Sequence, residues 1–328
     1  MRAEWTAHLT AEDGAAYDAF VARAPSGNAW QTRPWAAVAR SGTAIGTRFV
    51  TVKDRARLVG VALVSQARVA GVPLPWASIE RGPVVEEPSM LGPCLERIER
   101  LALAHGILRL QVMPYWSDDA AAAAERDLAR RGYKDVQRAD GAHARTLRVE
   151  LPADASALLE GPAMGQIRWR ARQAAKAGAV ARQARAEDWP CFRAMHSALM
   201  ASQRRSAFGA ERWAALEAFV SDEARGAMFV CEHRGRVVSA SVVVRHGRQV
   251  TYAWGASASG ELGFTKSIPP LVAALRWAQA CGSAVFDLGG IPLEGDRDPK
   301  RLSIALLKRD FSRRPVRLVR QHARWLVP

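Results

Sequence analysis

One order of segments occurs twice in this chain: strand, short polar turn, longer strand, helix, strand. In the first half, Arg48–Lys53 (RFVTVK) is rich in strand formers. Asp54–Arg57 (DRAR) is a polar turn, and Leu58–Ala67 (LVGVALVSQA) is a second strand-like run. Met90–Ala104 then carries Leu91, Leu95, Ile98 and Leu101 at helical spacing, and Gly106 can close that helix in the left-handed conformation. A strand at Leu108–Val112 and an alanine-rich helix at Asp119–Arg131, closed by Gly132, complete the half. In the second half, Met228–His246 again reads strand, basic turn, longer strand. Gln249–Trp254 adds a strand, Ile268–Ala280 is helical and followed by Gly282, and Ser283–Leu288 is a strand. Gly60 and Ser239 hold similar places 179 residues apart, and Gly106 and Gly282 do so at 176. Solenoid repeats run about 20–50 residues, so this period means a duplicated α/β module.

Between the halves, Gly161–Gly178 (GPAMGQIRWRARQAAKAG) reads as a helix. Ile167, Ala171 and Ala174 or Ala175 give it a narrow apolar face, and Arg168, Arg172 and Lys176 form one charged ridge at intervals of four. Further helices are expected at Trp189–Met200, Glu211–Glu223 and Arg301–Phe311, with a final strand at Pro315–Val319. The expected domain organisation is 1–148, 149–311 and a C-terminal segment 312–328, with Pro152–Pro162 marking the passage between modules.

Composition narrows the class. With 49% hydrophobic and 24% charged residues over 328 positions, the chain has the makeup of a globular protein. Its longest apolar runs, such as Leu58–Val64, fall far short of the roughly 18 residues that suggest a membrane span. The N-terminal MRAEWTAHLTAEDG lacks a secretory signal's apolar segment, so a cytoplasmic setting is expected. Cys94, Cys191, Cys231 and Cys281 lie far apart, with no CxxC or Cys/His ligand cluster, so no metal centre is expected. The excess of 47 basic over 32 acidic residues, a net charge of +15, points to anionic partners.

Several short motifs stand in an order that resembles the FemABX-like aminoacyltransferases, relatives of the GNAT N-acyltransferases. Asn28–Trp30–Gln31 with Trp35 is similar to that family's "WQ…W" segment, and Arg81–Gly82–Pro83 to its "RGP" turn. Gln166–Gly178 resembles its basic helix, Tyr252–Ser257 its "Y.WGAS" strand end, and Phe286–Gly290 its "FDLGG". Lys308 with Phe311 is similar to its "FK..FG" element, although Leu307 replaces the Phe and Ser312–Arg314 replaces the Gly-rich turn. The resemblance implies a mixed α/β fold of tandem GNAT-like modules. It also implies that the segment after 311 returns to the first module. The interval between Ala181 and Ala227 is too short for the long coiled-coil arm of some members.

The resemblance implies aminoacyl-tRNA as co-substrate and a peptidoglycan precursor bearing a free amine as acceptor. It implies no resident cofactor, and a location on the cytoplasmic side, with peripheral contact to the anionic inner membrane face. Acyl transfer to an amine needs alignment and stabilisation of an oxyanion rather than a covalent enzyme intermediate. Lys308 is the expected catalytic cation, and Asp287 is expected either to orient the acceptor amine or assist its deprotonation, or to hold its turn by accepting backbone N–H bonds. Arg168 and Arg172 are the expected phosphate ligands, since guanidinium groups suit bidentate phosphate binding. Tyr252, Trp254 and Ser257 are expected along the acyl or acceptor channel, and Trp30 and Arg81 in a substrate cleft. Gly260–Lys266 lacks the Q/RxxGxG/A pyrophosphate loop of GNAT enzymes, so acyl-CoA is the less favoured donor. Other readings are transfer to a small biosynthetic peptide, thioester-dependent N-acylation, and a non-catalytic RNA-binding protein.

Overall fold

A computed structural model describes residues 1–40, 42, 44–138, 144–161 and 164–327. The chain divides into two compact units, Met1–Ala144 with Val316–Pro328, and Arg145–Pro315. The sequence reading drew these lines at 148 and 311.

The first unit contains β1 (Arg2–Thr6), α1 (Ala11–Arg23), α2 (Trp35–Ala39), β2 (Ile45–Asp54), β3 (Arg57–Val69), β4 (Val72–Ile79), β5 (Val84–Val85), α3 (Leu91–Ala104), β6 (Arg109–Val112), α4 (Asp118–Arg130) and β7 (Lys134–Asp135). A strand from the C-terminal segment, His322–Trp325 (β15 in chain order), completes its sheet, which runs β1-β2-β3-β4-β6-β15-β7 with β5 on β3. The apolar face of α3 (Leu91, Leu95, Ile98) packs with Val50, Val52, Ala62 and Val64 of the sheet. Gly60 serves this packing, because a Cβ there would stand 2.7 Å from the sulfur of Cys94 on α3.

The second unit contains β8 (Arg145–Glu150), α5 (Gly165–Lys176), β9 (Ala179–Gln183), α6 (Trp189–Ser202), α7 (Ala210–Val220), β10 (Gly226–His233), β11 (Arg236–His246), β12 (Gln249–Ser257), α8 (Ile268–Ala280), β13 (Val285–Gly290) and α9 (Pro299–Arg309). The short β14 (Pro315–Arg317) spans the boundary between units. Its sheet runs β8-β13-β12-β11-β10-β9. Ile268, Leu271, Leu275 and Ala278 of α8 join Phe229, Val243, Val250 and Phe286 in one core. Each unit is therefore a mixed sheet with a helix packed on it. Among the described residues the longest helices, α3 and α6, have 14 residues each, and none is long and apolar enough to cross a membrane.

Each sheet has one parallel pair bridged by a helix, β4–α3–β6 and β12–α8–β13. The two pairs differ in register. In the first unit, pairing runs from Trp76↔Arg109 to Ile79↔Val112, the end of β4. In the second, it stops at Thr251↔Asp287, so residues 252–257 of β12 continue without a ladder partner on β13. The opening left there is where the second unit gathers its polar side chains.

Candidate active site

Two β-bulges shape this opening. On β12, Trp254 opposes Val242 and Tyr252 opposes Val243, so Ala253 is the extra residue. On β13, Asp287 opposes Arg148 and Gly290 opposes Thr146, so two residues face one. Such bulges re-aim side chains and end pairing. Gly289 makes the second one feasible: its φ is +74°, and a Cβ would lie 2.8 Å from the Tyr252 carbonyl oxygen. Sequence reading placed a turn at these glycines. The structure places a bulge inside β13.

Asp287 is 2% exposed and held on several sides. The Gly289 N–H donates to its Oδ1 at 2.8 Å, and the Thr146 hydroxyl donates to the same oxygen. Arg148 Nε donates to Oδ2 at 3.4 Å. Thr146 also lies 2.9 Å from the Gly289 carbonyl. Neither Thr146 nor Arg148 carried a sequence signal, because β8 reads as an ordinary strand and its register against β13 is set by tertiary pairing.

Lys308 enters from α9. That helix starts at a defined point: Asp298 caps it by accepting from the N–H groups of Lys300 (2.9 Å) and Arg301 (3.1 Å), and Pro299 follows the cap. Arg301 then clamps Asp296 through Nε (2.7 Å) and Nη2 (2.8 Å). Lys308, in the last turn, is only 9% exposed and donates from Nζ to the Gly290 carbonyl at 2.7 Å. Its Nζ stands 5.9 Å from the centre of the Tyr252 ring. Burial pushes its ammonium group down from 10.5 to about 8, while the Asp287 charge pulls the other way. At 9% exposure, Lys308 is not a solvated lysine on an amphipathic helix. Lys308, Asp287 and Tyr252 thus come together at one strand end.

The other expected residues are spread more widely. Ser257 is exposed at the end of β12 and lines a cavity of about 590 Å³ with Trp169, Arg170 and Gln173 of α5 and the loop Gly260–Ser267. Trp169, 55% exposed, was not singled out from the sequence, where it reads as one aromatic in a basic helix. Arg170 links the cavity wall to the end of α9 through Asp310 at 3.2 Å. Trp254 packs edge-on against Phe208, ring centres 5.9 Å apart. Arg168 turns back on its own loop, donating to the Leu159 and Gly161 carbonyls and pairing with Glu160 at 3.6 Å. Arg172 is exposed one turn further on.

The loop before α8 has the wrong polarity for a pyrophosphate. Lys266 Nζ donates to the carbonyls of Ala258 and Gly260, the latter at 2.6 Å, so loop carbonyls converge on a lysine. Pro269 and Pro270 stand at the second and third positions of α8 and supply no N–H. A helix N-terminus holds phosphate through those donors. In the first unit, Trp30 and Arg81 meet each other. The Arg81 guanidinium lies 3.5 Å over the Trp30 ring. The four cysteines are free, and no group of three potential metal ligands exists among the described residues.

Comparison with known proteins places this architecture. Residues 10–138 match the family model described as the FemAB family. Over those residues the chain resembles that family, and its fold is similar to that of solved FemX and tandem GNAT proteins. A crystal structure of FemX superposes with a TM-score of 0.79 at 16% identity, covering 98% of this chain and 97% of that one. The C-terminal domain (DUF2156) of a putative lysylphosphatidylglycerol synthetase from Agrobacterium fabrum gives 0.59 at 13% identity, covering 95% and 92%. A tandem GNAT protein from the clavulanic acid biosynthesis pathway gives 0.59 at 14% identity, covering 100% and 99%. No protein of curated function matches the sequence.

Proposed function

We propose that this protein transfers an aminoacyl group from tRNA to the amino group of a peptidoglycan precursor. The observation that carries the reading is the buried Lys308 ammonium, fixed on the Gly290 carbonyl where β12 and β13 part. In the reaction, the neutral amine attacks the ester carbonyl carbon, a C–N bond forms and the C–O bond to the ribose breaks. The amine proton leaves, and the ribose oxygen departs as a hydroxyl. The charge that develops on oxygen meets a cation already desolvated and aimed, which is where preorganised electrostatics is most effective. Asp287, with its oxygens engaged by Thr146, Gly289 and Arg148, acts as a positioning residue that keeps Lys308 charged rather than as the proton acceptor.

Two further features favour tRNA over acyl-CoA as donor. The loop before α8 presents carbonyls and prolines where a pyrophosphate needs N–H groups. The cavity beside it offers the exposed Trp169 ring, the kind of surface on which an unpaired base stacks. Arg172 and the +15 charge suit the nucleic acid backbone. An assay that offers charged tRNAs and acyl-CoAs with muramyl-pentapeptide acceptors, read by product mass, decides the matter. The expected product carries an added amino acid and forms only with charged tRNA. Product formed from acyl-CoA, with none from charged tRNA, would reject the proposal.

A further inference from the structure

The end of β4 in the first unit holds an arginine with no counter-charge among the described residues. Arg81 is 5% exposed. Its guanidinium lies between two rings, 3.5 Å from the centre of Trp30 and 4.9 Å from that of Tyr115. Its Nη1 is sealed from solvent and has no hydrogen-bond partner, and among the described residues no carboxylate pairs with it. Most buried arginines are matched by an acid, because a cation–π contact returns only part of what desolvating a guanidinium costs.

The surrounding turn is built to hold this arginine in place. Asn28 donates both amide hydrogens, to the carbonyls of Ser26 (2.9 Å) and Arg81 (2.8 Å). Gln31 donates to the Glu80 carbonyl at 2.6 Å and accepts from the Leu63 N–H at 2.7 Å. The Gly82 carbonyl accepts from Met113 N–H at 3.1 Å, tying the turn to the end of β6. Arg81 itself has φ +51°, a conformation that side chains other than glycine adopt at a cost. The buried Nη1 of Arg81 leaves N–H donors unused at this turn. The place is the C-terminal end of a parallel strand pair, where α/β sheets hold their ligands.

We propose that Arg81, clasped by Trp30 and Tyr115, is a binding site for one oxyanion group, a phosphate or a carboxylate, in the first unit. A guanidinium matches either group with two parallel hydrogen bonds. The binding claim stands without the transferase reading. Assigning the oxyanion to the acceptor molecule rests on that reading.

The test is thermal unfolding and calorimetric titration of the full chain with inorganic phosphate, inorganic pyrophosphate or acetate at low ionic strength. The wild type is expected to gain Tm with at least one of them, and the series separates phosphate from carboxylate. Arg81→Met should keep or raise the Tm measured without anion, since it replaces an unmatched buried charge by an apolar chain of similar length. It should also weaken binding at least tenfold. Arg81→Lys, which keeps the charge but loses the fork, should show intermediate affinity. Arg130→Gln, at an exposed position, should bind as the wild type does. The proposal is overturned if none of the three anions raises the Tm, if Arg81→Met binds as tightly as the wild type, or if Arg81→Met lowers the anion-free Tm while Arg81→Lys does not change affinity. None of these measurements requires transfer activity, so failure here leaves the donor assignment standing.

Discussion

The sharpest consequence of the buried lysine is a falling limb in the pH profile of transfer. Lys308 goes from 10.5 to about 8 on folding, chiefly through burial. At roughly 1.36 kcal/mol per pKa unit, that displacement corresponds to about 3 kcal/mol. The sign follows from proton binding. Between pH 8 and 10.5 the unfolded chain holds a proton on Lys308 that the folded chain has lost, so stability rises with pH across that window. Below pH 8 both states hold the proton, and the fold carries the full burden of the buried charge. Activity runs the other way. If the cation does the work, single-turnover kcat/KM falls as pH passes about 8, while the rising limb belongs to the acceptor amine. Lys308→Arg keeps a charge whose ordinary value lies above 12, so its falling limb should vanish while the rising limb stays. Lys308→Met should lose most transfer, and its stability relative to wild type should be greatest at pH 7 and shrink by about 3 kcal/mol as pH rises to 10.5. The loss of the Gly290 hydrogen bond offsets that comparison equally at every pH, so the pH dependence is the measure. Ester hydrolysis of the donor must be followed separately at each pH. Activity that only rises through pH 8, or a falling limb retained in Lys308→Arg, would refute the cation role.

Three further outcomes are expected. Asp287→Asn removes the charge that holds the Lys308 proton, so the falling limb should move below pH 8; an unmoved limb would show that the two groups are uncoupled. Gly289→Ala must adopt φ +74° and push a Cβ to 2.8 Å from the Tyr252 carbonyl oxygen. It should cost about 1–3 kcal/mol in chemical denaturation and reduce transfer, and a fully stable, active variant would contradict the bulge geometry. Trp169→Ala, at a 55% exposed position, should leave Tm nearly unchanged and raise KM for charged tRNA about 5- to 100-fold, as expected for one lost base stack; an unchanged KM would remove Trp169 from the donor site.

Much of the architecture is readable from local pattern, and the omissions have local causes. The helices at α3, α4 and α8 end where Gly106, Gly132 and Gly282 take φ of +75°, +82° and +71°, as their sequence positions predict. β4 is the instructive omission. Its sequence, VPLPWASI, carries two prolines, which argue against a central strand. The structure reconciles them: pairing with β6 begins only at Trp76, so Pro73 and Pro75 stand where that side needs no N–H, and the Pro75 carbonyl still accepts from Leu108 at 2.8 Å. β15 has four residues and no pattern of its own, and it exists because the edges of β6 and β7 are there to receive it.

The site was less legible because α9 inverts the usual rule. Ala305 is buried and Leu307 packs against the core, but the larger Leu302, Ile304 and Leu306 are 41%, 42% and 61% exposed while Lys308 is buried. Periodicity alone assigns the opposite faces. The inversion is stabilised by partners that lie far away in sequence, the Gly290 carbonyl and the Asp287 charge, so only the folded β13 bulge can supply the reason.

The two units share an order of elements but differ at the end of the parallel pair. The two parallel pairs have the same order and the same bridging helix, yet β4 stays paired to its last residue, while β12 loses β13 after its third. A closed ladder consumes its N–H and C=O groups; past Thr251 the β13-facing edge of β12 has no strand partner on β13, while its other edge stays paired to β11. Tyr252, Asp287 and Gly289 sit at the parting point and Lys308 is delivered to it. In the closed unit, the corresponding strand end carries Arg81, whose buried Nη1 has no hydrogen-bond partner among the described residues. The same order of elements thus presents a parted β12–β13 ladder with a buried ammonium in one unit and a fully paired β4–β6 ladder with a buried guanidinium in the other. That division suits transfer chemistry in the second unit and anion capture in the first.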